Sequence, residues 1–268
     1  MPELPEVEYA ANRLRQWMLG RLVLRAKAEP TRLLRGQPAR RFSQALTGRR
    51  LERVERRGKY LLLFFDGNAG LLAHLGMTGK LVRRPTGVAE PFSHARFELE
   101  DGFTVHFRDP RKFGRLSAEP ADRLFLLPEI AALGPDALLE PPTAESLGER
   151  LSRTARPVKV ALMDQSVLAG LGNIHAAEAL FRARIDPLLR ADRLSEEQRR
   201  RLAQAIGETI ALGLANDEEE EITYVEEGAP NPFLVYGKAG EACPRCGQRL
   251  ASLTQGGRTT HFCPHCQR

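Results

Sequence analysis

Tyr60-Leu-Leu-Leu-Phe-Phe65, then Asp66-Gly67-Asn68, then Gly70-Leu-Leu-Ala-His-Leu75, reads as two short strands joined by a turn. Apolar runs of this length, bounded by an Asp-Gly-Asn cluster, are the pattern of neighbouring strands. The same pattern recurs downstream, where residues 95–100 and 103–107 flank Asp101-Gly102. There Phe97-Glu98-Leu99-Glu100 alternates apolar and charged side chains, as a half-buried strand does. From about residue 21 to 118 the chain is a succession of short strands with glycine turns, which predicts a β-sandwich or barrel.

On the N-terminal side of this region one helix is expected. Pro5 sits where a first helical turn tolerates proline, and Glu6 and Glu8 suit a positive helix N-terminus. Val7, Ala10, Ala11, Leu14, Trp17 and Met18 share one face before Gly20 ends the run. On the other side, Gly134-Pro135-Asp136 and Pro141-Pro142-Thr143 punctuate a linker. Helical periodicity then returns, with Ser195 as the cap of a segment carrying Leu202, Ile206, Ile210 and Leu214 on one side. The expected organisation is α+β and multidomain: a helix and strand domain over 1–133, a linker over 134–150, a helical domain over 151–234 and a Gly-, Cys- and Arg-rich tail over 235–268. No internal repeat is present.

Of the 268 residues, 42% are hydrophobic and 28% charged, the composition of an ordinary soluble globular protein. No stretch approaches the roughly 18 apolar residues of a membrane span. The N-terminus, Met1-Pro-Glu-Leu-Pro-Glu-Val-Glu, is acidic, so neither a signal nor a transit peptide is expected, and the cytoplasm is the expected place of work. A net charge of +6 favours a polyanionic partner, although solubility alone would account for it. Its distribution is more telling. Basic residues cluster at Arg49-Arg50, Arg53, Arg56-Arg57, Lys59, Arg83-Arg84 and from Arg108 to Arg115, whereas acids gather in 217–221 and at Glu226-Glu227. This segregation suggests a basic face for nucleic acid and a solvated acidic loop elsewhere.

The only four cysteines lie in the last 26 residues, which in a chain without a secretory signal argues for metal rather than disulfides. Cys243-Pro-Arg-Cys246 and Cys263-Pro-His-Cys266 form C-x2-C-x16-C-x2-C, two knuckles joined by a hairpin-length spacer. Such pairs present four thiolates to one structural zinc ion, a closed site with no open position and hence no metal catalysis. The hairpin displays Thr254-Gln-Gly-Gly-Arg258-Thr-Thr. Arg258 there is either a bidentate phosphate donor or a solvated tip arginine.

The N-terminus is chemically unusual. Removal of Met1 would expose Pro2 as a secondary amine, which attacks an electrophilic carbon and forms a cationic iminium with an aldehyde. A terminal amine titrates near about 8, against about 10.4 for lysine, so it is partly free at neutral pH. Glu3 beside it can relay a proton, and Glu6 lies one turn further on. Taken alone, these residues are more simply read as a Pro/Glu helix cap.

The whole constellation says more. Met1-Pro-Glu-Leu-Pro-Glu-Val-Glu, Gly58-Lys59-Tyr60-Leu61, His74-Leu-Gly-Met77-Thr-Gly79, Asp109-Pro-Arg111-Lys-Phe113-Gly114, Leu162-Met-Asp164-Gln165, Gly170-Leu-Gly172-Asn173-Ile174 and the cysteine pairs follow one another in that order. Over essentially its full length the chain closely resembles the formamidopyrimidine-DNA glycosylase family. The Pro-Glu-Leu-Pro-Glu start is that of the bacterial enzyme for oxidised purines, whereas the related endonuclease VIII starts Pro-Glu-Gly-Pro-Glu.

The resemblance implies an N-terminal helix with a β-sandwich, then a helix–two-turn–helix domain carrying a four-cysteine zinc finger, with double-stranded DNA bound in the cleft between. It implies a monomeric, nucleoid-associated glycosylase and AP lyase of base-excision repair, acting on duplex with a damaged base or an abasic site. Carried over residue by residue, Pro2 matches the nucleophile, Glu3 the proton shuttle and Glu6 a supporting glutamate. Lys59 matches a hairpin lysine at the phosphate beside the lesion. Met77, Arg111 and Phe113 match the triad that fills the duplex once a base is expelled. Lys159 matches a lysine near the damaged nucleotide, and Asn173 and Arg258 match phosphate-gripping residues.

Elementary physics suits these roles. Expelling a base costs a few kcal/mol, so the gap needs a filler. Met is an adaptable wedge, Phe stacks, and Arg hydrogen-bonds an orphaned base. Two departures stand out: His175 follows Asn173-Ile174 where the family commonly has Tyr, and the acidic run 217–221 replaces the Gly-Gly-Thr-Thr-like stretch that helps cap everted 8-oxoguanine. The acidic run leaves open the same chemistry on another lesion, such as an oxidised pyrimidine. A non-catalytic binder of damaged DNA is the alternative from another class.

Overall fold

The computed structural model describes residues 2–215 and 231–268, which divide into two compact units, one ending at Ala131 and one beginning at Ala132. The acidic residues 217–221, Glu226 and Glu227 lie outside the described residues.

In the first unit α1 (Leu4–Met18) precedes β1 (Leu22–Ala28), α2 (Ala39–Leu46), β2 (Arg49–Arg57), β3 (Tyr60–Phe65) and β4 (Ala69–His74). Then come β5 (Lys80–Pro85), β6 (Ser93–Leu99), β7 (Phe103–Arg108), β8 (Arg115–Pro120) and the one-turn α3 (Pro128–Ala131). The strands pair antiparallel in the order β5-β7-β6-β1-β2-β3-β4-β8. The central link is thin, since β1 meets β2 only at Leu22–Arg50 and Val23–Arg49. Side chains from both halves, among them Val23, Phe97, Val105 and Phe107 from one and Val54, Leu61, Leu63 and Phe65 from the other, share a single core. That is sandwich packing, two four-stranded layers facing each other.

The core explains the sequence pattern. β3 reads as unbroken hydrophobicity because both its faces are covered: Leu61, Leu63 and Phe65 enter the main core, while Phe64 lies under Phe125, ring centroids 5.8 Å apart. α1 contributes Val7, Ala10, Ala11, Leu14, Trp17 and Met18 to the same core, at about 1.5–3 kcal/mol for each large side chain buried. β3 has the predicted bounds, and β4 starts and ends one residue earlier than expected.

In the second unit α4 (Ala144–Leu151), α5 (Val158–Leu162), α6 (Asn173–Ala183) and α7 (Glu196–Leu214) precede the hairpin of β9 (Ala251–Gln255) and β10 (Arg258–Phe262). α6 packs on α7, and α7 on α4. α7 is capped as expected: Ser195 Oγ accepts from the Gln198 N–H at 3.2 Å, and Leu202, Ile206 and Ile210 are buried. The stretch 134–150 is more ordered than a linker. Thr143 Oγ1 accepts from the Ser146 N–H at 3.2 Å and Ser146 Oγ from the Thr143 N–H at 2.9 Å, a capping box that starts α4 straight after Pro141-Pro142. Among the described residues no helix is long and apolar enough to cross a membrane.

Candidate active site and nucleic-acid interface

Pro2 is buried just ahead of α1, and Glu3 occupies the N-cap position with 1% of its surface exposed. Glu6 faces back and accepts the Glu3 backbone N–H through Oε2 at 2.8 Å. Its carboxylate therefore fixes the backbone immediately behind Pro2. The N-terminal end of this 15-residue helix favours anionic side chains, which suits Glu3 at the N-cap and Glu6 in the first turn.

A buried ion pair leads from this helix to Lys59. Glu8 Oε2 accepts from Arg56 Nε at 2.5 Å, and Glu8 Oε1 from Arg15 Nη1 at 2.9 Å. Arg56, its side chain 1% exposed, donates from Nη1 to the Gly58 carbonyl at 2.9 Å. Gly58 and Lys59 form the turn between Arg57 and Tyr60, which are paired in the β2–β3 ladder. Gly58 has φ 57°, the positive φ that a two-residue hairpin turn asks of its first central residue. Lys59 is itself mostly buried, at 8% exposed.

His74, at the end of β4, stands opposite Tyr60 with ring centroids 4.9 Å apart. Its Nδ1 accepts the Gly76 N–H at 3.0 Å, so the neutral ring carries its proton on Nε2. Burial, and after it the charges of Lys59 and Arg115, lower its pKa to about 4. Burial also raises the Tyr60 hydroxyl above its ordinary value. Beside the hairpin lysine there is thus a histidine that stays a neutral donor at physiological pH.

Met77, Arg111 and Phe113 come together on two adjoining loops. Arg111 and Phe113 are exposed and Met77 half-buried. Gly76 (φ 68°) lets the loops touch: a Cβ there would lie 2.4 Å from the Phe113 carbonyl carbon. Asp109, fully buried, ties them together. Its Oδ1 accepts from Thr78 Oγ1 at 2.6 Å and from the Arg111 N–H at 3.2 Å, and its Oδ2 from the Gly114 N–H at 2.7 Å.

In the second unit Lys159, on α5, is fully buried and donates from Nζ to Asn173 Oδ1. Asn173 opens α6 after Gly172, and its Nδ2 donates to the Thr259 carbonyl on β10 at 3.1 Å. Arg258 stands exposed beside Thr259, at the end of the Gly256-Gly257 turn, where both glycines have positive φ. A Cβ on Gly256 would lie 3.3 Å from Val160 Cγ2, so the hairpin tip rests on α5. Lys159, Asn173 and Arg258, 99 positions apart in the chain at the extremes, thereby share one neighbourhood. Glu178 was not singled out in the sequence. It is buried on α6 and accepts the N–H groups of Leu234, Val235 and Tyr236 at 2.9, 2.8 and 3.0 Å. Tyr236 in turn meets the ring of His261, 5.3 Å away edge to face.

Among the described residues Cys243, Cys246, Cys263 and Cys266 form the one group able to hold a metal ion, with all four sulfurs within 4.8 Å of one another. Sulfur separations of 3.9 Å (Cys243–Cys266) and 3.6 Å (Cys246–Cys263) match the roughly 3.8 Å edge of a zinc tetrahedron with bonds of about 2.3 Å. Backbone N–H groups of Arg245 and Cys266 point at Cys243 Sγ and Cys263 Sγ, each at 3.4 Å, as knuckle turns do around thiolates. These residues fit one structural zinc ion, and they leave it no open position. His261, engaged with Tyr236, takes no part.

Comparison with known proteins agrees with this arrangement. Three family models match: the formamidopyrimidine-DNA glycosylase N-terminal domain over residues 1–116, the formamidopyrimidine-DNA glycosylase H2TH domain over 133–224, and the zinc finger found in FPG and IleRS over 240–268. A formamidopyrimidine-DNA glycosylase of Thermus thermophilus is 41% identical, covering 100% of this chain and 98% of the relative. The crystal structure of the MutM (Fpg) protein from Thermus thermophilus has a TM-score of 0.85 at 38% identity, over 99% of this chain and 98% of that one. Wild-type Lactococcus lactis Fpg, in complex with DNA containing N7-benzyl-Fapy-dG, has a TM-score of 0.89 at 28% identity over the whole of both chains.

Proposed function

The chain belongs to the formamidopyrimidine-DNA glycosylase family, and on that premise we propose that Pro2, Glu3 and Lys59 carry its chemistry. It is a base-excision-repair DNA glycosylase and AP lyase for oxidised purines, acting as a monomer on double-stranded DNA and holding one structural zinc. We place it in the cytoplasm, on the bacterial nucleoid. Solved complexes of relatives hold DNA with an abasic site, carbocyclic 8-oxo-G and Fapy-dG, which supports oxidised purines as the lesions of this chain.

The reaction begins once Met1 is removed. The Pro2 nitrogen forms a bond to C1′ as the bond from C1′ to the base breaks, and the base leaves with a proton. Glu3 protonates O4′ so that the sugar ring opens to an iminium, which drains electrons from C2′. Loss of the C2′ proton expels the 3′ phosphate, and a second elimination expels the 5′ phosphate. Lys59 holds the phosphate beside the lesion, and Glu6 keeps the Glu3 backbone in place. Met77, Arg111 and Phe113 fill the opened duplex. Lys159 and Asn173, with Arg258, grip the strand from residues 151–234 and 235–268, while residues 1–133 hold the chemistry.

The observation that carries this reading is the burial of Pro2 and Glu3 at the capped start of α1, with the Glu6 carboxylate fixing the backbone between them and the helix. Borohydride should trap a covalent complex between the Met1-processed protein and duplex holding 8-oxoguanine or an abasic site. Pro2→Gly should lose at least most of the adduct. Absence of an adduct with the processed wild type would overturn the assignment of the nucleophile. Run in parallel on formamidopyrimidine and thymine-glycol duplexes, the same trapping reads lesion preference, which the acidic run at 217–221 makes worth measuring.

A further inference from the structure

The loop 110–113 has no hydrophobic anchor of its own: Pro110, Arg111, Lys112 and Phe113 are all exposed. It is also strained, because Lys112 has φ 56°, a left-handed conformation that a non-glycine residue adopts only when its surroundings impose it. Asp109 holds the loop from beneath. From outside it is held by Arg32, in a short 3-10 turn between β1 and α2. Arg32 Nε donates to the Lys112 carbonyl at 2.7 Å and Nη2 to the Arg111 carbonyl at 2.6 Å. One planar guanidinium thus caps two consecutive carbonyls around the strained residue, which a point-charge ammonium cannot do.

The same guanidinium lies 4.8 Å from the centre of the Phe113 ring, and Arg111 lies at the same distance, 4.8 Å. Phe113, 41% exposed, is therefore flanked by two cations. When Arg111 turns to an orphaned base it must give up this interaction, and Arg32 is the partner that remains.

We propose that Arg32 is a positioning residue for the duplex-filling loop: its fork fixes the Arg111–Lys112 backbone, and its face keeps Phe113 ready for insertion. This rests on the reading of Arg111 and Phe113 as gap fillers. Pre-ordering an exposed side chain lowers the entropy lost when it inserts, so its effect falls on base expulsion and not on elimination.

Single-turnover kinetics of Arg32→Ala and Arg32→Lys separate these steps. Excision of 8-oxoguanine from duplex should slow about tenfold in both variants, the scale set by removing one cation–π interaction and the hydrogen bonds that accompany it. Cleavage at an abasic site in a single strand, where nothing needs to be expelled, should keep its wild-type rate. A 2-aminopurine beside the lesion should report slower unstacking by the same factor. Arg32 is exposed and outside the core, so folding is not at stake. Full rescue by lysine would mean that charge alone matters, and would overturn the proposal. Equal slowing on both substrates, or no slowing where Phe113→Ala is slow, would also overturn it while leaving the assigned activity intact. If Phe113→Ala too is unimpaired on duplex, the gap-filling role itself falls, and the role of Arg32 with it.

Discussion

His74 shows how one side chain is set by its surroundings. Its Nδ1 is committed to the Gly76 N–H, its ring to Tyr60, and burial beside Lys59 and Arg115 lowers its pKa to about 4. The sign of the linkage follows from that shift. As pH falls below the ordinary value of 6.5, an unfolded His74 takes a proton that the folded one refuses until about 4. Its contribution to stability is full above 6.5, is lost as pH falls from 6.5 to about 4, and is flat below that. Denaturant unfolding at several pH values should therefore show a drop across this window that His74→Gln removes, of ~2 kcal/mol after allowing for partial exposure. An undiminished drop in the variant would mean that other groups supply it. Over the range where the enzyme works, His74 stays an Nε2–H donor, so no limb of the activity profile near 6.5 should belong to it.

At the scale of elements, the two loops of the site region meet at Gly76. Gly76→Ala would set a Cβ 2.4 Å from the Phe113 carbonyl carbon at a φ of 68°, so both strain and collision count. Gly102→Ala meets a φ of 82° but nothing within 4 Å, so only strain counts. The expected cost is about 1–2 kcal/mol at Gly102 and at least ~2 kcal/mol more at Gly76, with duplex excision lost only in the latter. Equal losses in melting temperature would show that the two loops do not pack as described. The contrast also marks what could be read in advance. Strands such as β3 and β4 were legible because turn chemistry and apolar runs are local, as was α7 with its serine cap. α4 was not, because its capping box uses Ser146 where Glu or Gln is the usual signal, and the preceding prolines suggested a linker. Pro2, Glu3 and Lys59 stood out through their motifs. Asp109 stood in a motif but without a role, and Glu178 and Arg32 stood in none: Arg32 reaches across about 80 residues to the Arg111 and Lys112 carbonyls, and no spacing rule encodes such a reach.

At the scale of the whole molecule, the first unit and the finger of the second depend on different physics. The first has a large apolar core of its own, built from α1 and both strand layers. The finger has almost none: Cys243, Leu250 and Cys263 gather with Val235 against Phe181 of α6. Arg245 adds bonds from Nη1 to the Phe181 carbonyl at 2.6 Å and from Nη2 to the Arg182 carbonyl at 3.1 Å, and Gln267 donates from Nε2 to the Ile185 carbonyl at 2.9 Å. A segment this small does not hold its shape without the metal, and zinc binding is then part of its folding free energy. Chelation should therefore release β9 and β10, and with them Arg258 and the Thr259 carbonyl that orients Asn173. Hydrogen exchange should show protection lost over 240–268 and retained in β2, β3 and β4. DNA affinity should fall, and the slope of log K against log salt should flatten by about 0.9 for each phosphate the finger no longer neutralises. Because the Pro2 and Glu3 geometry belongs to the first unit, the chelated protein should still form a borohydride adduct at high concentrations of abasic DNA. Unchanged affinity and slope would show that the finger does not grip phosphate. Loss of protection in β2 to β4 at the same zinc concentration would show that the units do not fold independently.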